Sequence, residues 1–121
     1  MTSGGSQRTI PSLIEEYRQS TIAYYSACDD EKFTRQRSSG QKVNQIVQKL
    51  DAFGAEGRLA LTPLLNDPDQ GIRTFAAADL LKVYPERAIP VLEEISKGPT
   101  YFPRLTAGSF LESYINGKWG R

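Results

Sequence analysis

Between residues 59 and 83 the chain reads LALTPLLNDPDQGIRTFAAADLLKV, two short apolar segments parted by Asn66, Asp67, Pro68 and Asp69. That tetrad is dense in turn formers, and Pro68 cannot continue a preceding helix. Asp67 or Asp69 can cap the helix that follows by accepting hydrogen bonds from its free N–H groups. The second segment places Ile72, Phe75, Ala76, Leu80 and Val83 three or four residues apart, the spacing of one helix face. Ala76, Ala77 and Ala78 leave so little bulk that another backbone can come close. The first segment carries Leu59, Leu61, Leu64 and Leu65, with Pro63 inside it. An interior proline removes a donor and kinks a helix, at a cost of about 3 kcal/mol. The stretch therefore predicts a hairpin of two helices, and the rest of the chain is expected to pack on it.

The flanking segments repeat the helical pattern. Pro11 suits a first helical turn, and Ile10, Leu13, Ile14, Tyr17, Thr21, Tyr24 and Cys28 form a stripe behind it. Asp29, Asp30 and Glu31 read as the acidic start of a second helix, which runs to about Phe53. Its apolar face is Phe33, Val43, Ile46, Val47 and Leu50, and Gly40 is its expected weak point. Further on, Pro90, Val91 and Leu92 answer Pro63, Leu64 and Leu65. Pro103, Arg104, Ala107 and Leu111 answer Ile72, Arg73, Ala76 and Leu80. The last helix carries Leu105, Phe110, Leu111, Tyr114 and Ile115 and stops at Asn116 and Gly117, with residues 118–121 trailing off.

Residues 59–83 resemble a HEAT repeat in Pro63, the Leu64–Leu65 pair, Asp67, Ile72, Arg73, Ala76, Ala77 and Leu80. The resemblance implies that Asp67 and Arg73, six residues apart, belong to a structural polar ladder. Residues 10–119 as a whole look like a family of short bacterial proteins with HEAT-like repeats, a domain of unknown function. The likeness runs through Lys32, Phe33, the Pro85–Ala88 segment and a glycine-aromatic ending, and departs at Thr34, where that family has Asn. It implies an all-α fold of about six helices in three hairpins, a short right-handed α–α superhelix with capped ends. The domain is expected to span residues 9–121, behind a small, polar, disordered tail at 1–8.

Composition narrows the function classes. The 121 residues contain no histidine and one cysteine. This removes the commonest general base, His-activated nucleophiles, histidine-ligated zinc and any intramolecular disulfide. No enzyme activity, cofactor or metal is expected. No apolar run approaches the ~20 residues that span a bilayer, so a cytoplasmic protein, monomeric or homodimeric, is the expectation. Net charge is +1, yet residues 32–50 hold five basic residues and no acid. Of these, Arg35, Lys42 and Lys49 are seven apart and share one flank of the second helix. They are the candidate partner-binding residues. The leading reading is a helical scaffold that binds a protein partner, in the manner of an inhibitor or immunity protein. The alternative is a nucleic-acid or phosphate module using the same flank. The near-neutral charge and the absence of interleaved aromatics count against it.

Asp79 is the odd residue. At ~100° per residue it falls in line with Ile72 on the face that should be buried. A buried carboxylate needs a partner; Arg104 of the next hairpin or the N-terminus of a neighbouring helix is the expected one, ahead of a ligand role.

Overall fold

The computed structural model describes residues 9–120, so the expectation for residues 1–8 lies outside it. Its elements are α1 (Ile10–Asp29), α2 (Phe33–Asp51), α3 (Ala55–Leu59), a 3₁₀ turn (Thr62–Asn66), α4 (Gln70–Leu80), α5 (Pro85–Ser96) and α6 (Tyr101–Ile115). The fold is all-helical, with six α-helices and no strand among the described residues.

Helix α4 sits at the centre and touches α1, α3, the 3₁₀ turn, α5 and α6. Every residue from Gly71 to Leu81 is buried except Arg73. A helix enclosed on all sides cannot be amphipathic. Hence its middle is Ala76, Ala77 and Ala78, all essentially inaccessible. Larger side chains there would hold the neighbouring helices apart. Leu13 and Tyr17 from α1, Val43, Ile46 and Leu50 from α2, and Leu92 and Ile95 from α5 fill the space around it. At one end Phe75 gathers a cluster of rings, with Tyr24 at 4.9 Å, Tyr25 at 5.2 Å and Phe110 at 6.0 Å between centroids.

Local signals set the helix ends. Thr9 caps α1 by accepting from the amide of Ser12 at 3.2 Å. Asp69 caps α4 by accepting from the amide of Ile72 at 2.9 Å. Asp67 tightens the turn before it, accepting from the amide of Asp69 at 2.9 Å. Gly117, at φ +73°, closes α6 as expected. The amide of Lys118 bonds the carbonyl of Ser113 and that of Gly117 bonds Tyr114, the paired geometry of a Schellman cap.

Four expectations change. The first arm of the central hairpin is not one kinked helix: α3 ends at Leu59, and Pro63 stands in the first turn of the 3₁₀ segment. There the missing N–H costs nothing, so the chain breaks where a kink was expected. Asp29, Asp30 and Glu31 do not start α2. They end α1, with Glu31 in the left-handed region at φ +57°, and the first turn of α2 has no acid. Gly40 does not interrupt α2, because it lies against the ring of Tyr24 and the helix runs on. Finally, Trp119 does not trail away; it packs on Phe110 at 5.1 Å.

Gly57 shows how closely the parts are fitted. A Cβ there would overlap the backbone carbonyl of Leu50 in α2, which cannot rotate aside. Only glycine lets the start of α3 lie on the end of α2. Gly57→Ala is expected to destabilise the fold by about 1–3 kcal/mol, the range for overpacking a close contact. Urea denaturation measures this; an unchanged midpoint would contradict the contact.

Candidate functional site

Two sets of residues stand out in the sequence, and the structure separates them. Asp67, Arg73 and Asp79 lie inside or at the edge of the packed helices. Arg35, Lys42 and Lys49 lie on the outside of α2, all exposed.

The inner set ties helices together. Asp67 and Arg73 are joined, but through the backbone: Arg73 Nη1 donates to the carbonyl of Asp67 at 2.9 Å. The Asp67 carboxylate instead reaches α1, where its Oδ2 accepts from Arg18 Nε at 3.1 Å. Arg18 Nη2 lies 3.0 Å from the same oxygen. The link between hairpins thus runs through Arg18, which sequence spacing does not single out.

Asp79 is buried, as its position on α4 requires. The expected Arg104 is not its partner. Arg104 lies over the ring of Tyr101, 5.6 Å from its centroid. Asp79 Oδ2 accepts from the hydroxyl of Tyr17 in α1 at 2.6 Å, and both residues are fully enclosed. Arg58 adds a second tie. Its Nη1 donates to the Asp79 carbonyl at 3.2 Å, while Nε and Nη2 grip Asp51 at 2.9 and 2.6 Å. The carboxylate pairs with a phenol because Tyr17 comes from the helix that crosses α4 at that level. Such a contact spans 62 residues and leaves no trace in local spacing.

Other buried titratable groups are held in their neutral forms. Burial pushes the Tyr25 phenol well above its ordinary value, though its hydrogen bond with Thr106 pulls the other way. Burial likewise raises the Cys28 thiol, against the pull of a hydrogen bond with Tyr24. A thiol kept protonated is a packing group more than a nucleophile. Among the described residues, no group of three His, Cys, Asp or Glu could hold a metal ion. Among the described residues, no helix is long and apolar enough to cross a membrane.

The outer set has a different character. Lys32, Arg35, Arg37, Lys42 and Lys49 are all exposed. No carboxylate among the described residues lies within ion-pair reach of them, whereas Arg18 and Arg58 both have one. Gln41, Asn44, Gln45 and Gln48 stand among the basic residues, and no acid lies between Lys32 and Leu50; Glu31 and Asp51 bound the stretch at its two ends. At its N-terminal end stands Phe33, 69% exposed. It stands between two open depressions, one with Glu31, Lys32, Arg35 and Ser38, the other with Tyr24, Arg37 and Gly40. The helical spacing of apolar residues points to Phe33 as core. It is outside because α2 packs on α1 and α3, and Phe33 in its first turn is left uncovered by that contact.

The chain's overall shape has a counterpart among solved structures. The crystal structure of the protein RPA1889 from Rhodopseudomonas palustris CGA009 matches with a TM-score of 0.87 at 23% identity, covering 100% of this chain and 99% of that one. They share a fold. No protein-family model matches the sequence, and no curated protein matches it.

The Tyr17–Asp79 contact predicts a specific coupling. Tyr17→Phe removes the hydroxyl donor from an enclosed carboxylate and is expected to cost about 1–3 kcal/mol. In a double-mutant cycle with Asp79→Asn the two losses are expected not to add. Additive melting shifts would show that the two side chains do not act together.

Proposed function

We propose that this protein is a non-enzymatic, HEAT-like helical scaffold that binds an acidic protein partner through the outer face of α2. The carrying observation is the exposed Phe33 at the head of a stretch, residues 32–50, that holds five basic residues and no acid. Aromatic and arginine side chains are the usual anchors of protein interfaces. Phe33 supplies an apolar anchor and Arg35 stands two residues along the chain from it. Lys42 and Lys49 continue the charge toward the other end of the helix. Those long side chains favour a partner rich in Asp and Glu and raise its encounter rate.

A surface of this kind suits an inhibitor or immunity-type protein, which acts by covering another protein and needs no catalytic group. A cytoplasmic setting fits the single buried Cys28. One aromatic side chain at the end of the face gives bases little to stack on, so phosphate-backbone binding is the weaker alternative.

The test pairs a triple reversal, Arg35→Glu with Lys42→Glu and Lys49→Glu, with Phe33→Ala. All substituted positions are exposed, so circular dichroism is expected to show unchanged helicity. Affinity capture from the source cells is expected to recover a partner with wild type and lose it with both variants. Duplex and single-stranded nucleic acids are expected to bind no tighter than micromolar at physiological salt. Submicromolar binding of either, with a steep salt dependence, would favour the phosphate reading. Capture that both variants leave intact would remove the α2 face as the docking surface.

A further inference from the structure

Helix α6 has an inner face that packs on the core and an outer face that is left largely open. At about 100° per residue, Pro103, Ala107, Phe110 and Tyr114 fall on one side. Pro103 and Ala107 are buried, and Phe110 and Tyr114 pack against the core. Tyr101, Arg104, Leu105, Gly108, Glu112 and Ile115 fall on the other side, with Leu111 at its edge, half-buried and packed against the core. The sequence pattern places Leu105 and Ile115 in the core. They are instead 48% and 76% exposed, and Tyr101 is 56% exposed.

This outer stripe is symmetric in kind about Gly108. Arg104 and Glu112 lie four residues either side of it, and Tyr101 and Ile115 seven. Two such helices laid antiparallel across a two-fold axis at Gly108 bring these residues to the same height as their counterparts on the other copy. Tyr101 meets Ile115 near the seam, and Arg104 comes within reach of Glu112, each twice. Gly108 itself fits this arrangement. A Cβ there would meet nothing within the chain, so no internal contact calls for glycine. Glycine in a helix interior costs about 1 kcal/mol relative to alanine. A second backbone crossing at Gly108 gives that cost a purpose, since the lack of a side chain lets two helices approach.

From this self-complementarity we propose that α6 is a homodimer interface and that its occupant is the α6 of a second copy. The contact is a single helix pair, so the dimer is small in area and its dissociation constant is on the order of micromolar. Because α6 and α2 belong to different hairpins, the proposal stands apart from the partner reading of the α2 face.

Sedimentation across micromolar to millimolar concentrations tests it. Wild type is expected to move from the 13.5 kDa of one chain toward twice that mass. Arg104→Glu and Glu112→Arg are each expected to raise the dissociation constant at least tenfold, because each sets like charges against each other. Mixing the two variants is expected to restore association, since every contact is then between opposite charges. Gly108→Leu is expected to abolish the dimer while circular dichroism shows the helices intact. A wild type that stays at the mass of one chain throughout would overturn the proposal. So would single reversals that associate as wild type does, or a mixture that fails to recover.

Discussion

Helix α4 has to be enclosed by its neighbours while standing only 11 residues long. That constraint governs the rest of the molecule. A helix open to solvent on one side can carry bulky residues inward and charges outward. One surrounded by α1, α3, α5 and α6 must be thin, and three consecutive alanines make it so. The bulk then comes from outside. Leu13 and Tyr17 of α1 and Leu92 of α5 join its core cluster from the surrounding helices, each fully buried. Burying such a side chain contributes roughly 1.5–3 kcal/mol, so most of the favourable energy lies in what surrounds α4. A thin centre also leaves room for a polar group. Asp79 can sit on α4 because Tyr17 reaches it with a hydroxyl from across the interface.

The polar ties fix how the helices are placed. Hydrophobic packing is non-directional, and a bundle of apolar faces could settle at several rotations. Arg18 with Asp67 sets α1 against the turn before α4. Arg58 with Asp51 and the Asp79 carbonyl sets α3 between α2 and α4. Arg18 with Asp67 and Arg58 with the Asp79 carbonyl join segments distant in sequence, and each satisfies polar groups that the packing would otherwise strand. They work as registration marks on a fold whose driving force is apolar burial. The outer residues of α2 and α6 take part in none of this, which leaves their side chains available to partners.

Much of this was legible in sequence, and the failures share a cause. The turn at Asn66 to Asp69, the cap at Asp69, the close-packed alanines and the stop at Gly117 follow from local chemistry, and all are present. Periodicity also placed Asp79 on a buried line. It could not name Tyr17, because helical spacing says which way a side chain points and nothing about what faces it. The same limit explains Phe33, Leu105 and Ile115. Each sits at a helical interval from apolar neighbours, yet each is left uncovered or faces away from the core. Pro63 failed differently. A proline reads as a kink within a helix or as the start of a new one, and the chain resolved that choice in favour of the break. For the basic flank, spacing gave the alignment of Arg35, Lys42 and Lys49, while the absence of neutralising carboxylates needed the three-dimensional surroundings.

The account rests on α4 being the last element to open, and native-state hydrogen exchange resolves this amide by amide. The amides of residues 76–80 are expected to exchange only through global unfolding, with free energies equal to that from urea denaturation. Those of the 3₁₀ turn and the first turn of α2 are expected to exchange through smaller local openings. If residues 76–80 exchanged through local fluctuations while α1 or α5 stayed protected, the centre of stability would lie elsewhere. The picture of a bundle built around a thin, enclosed helix would then be wrong.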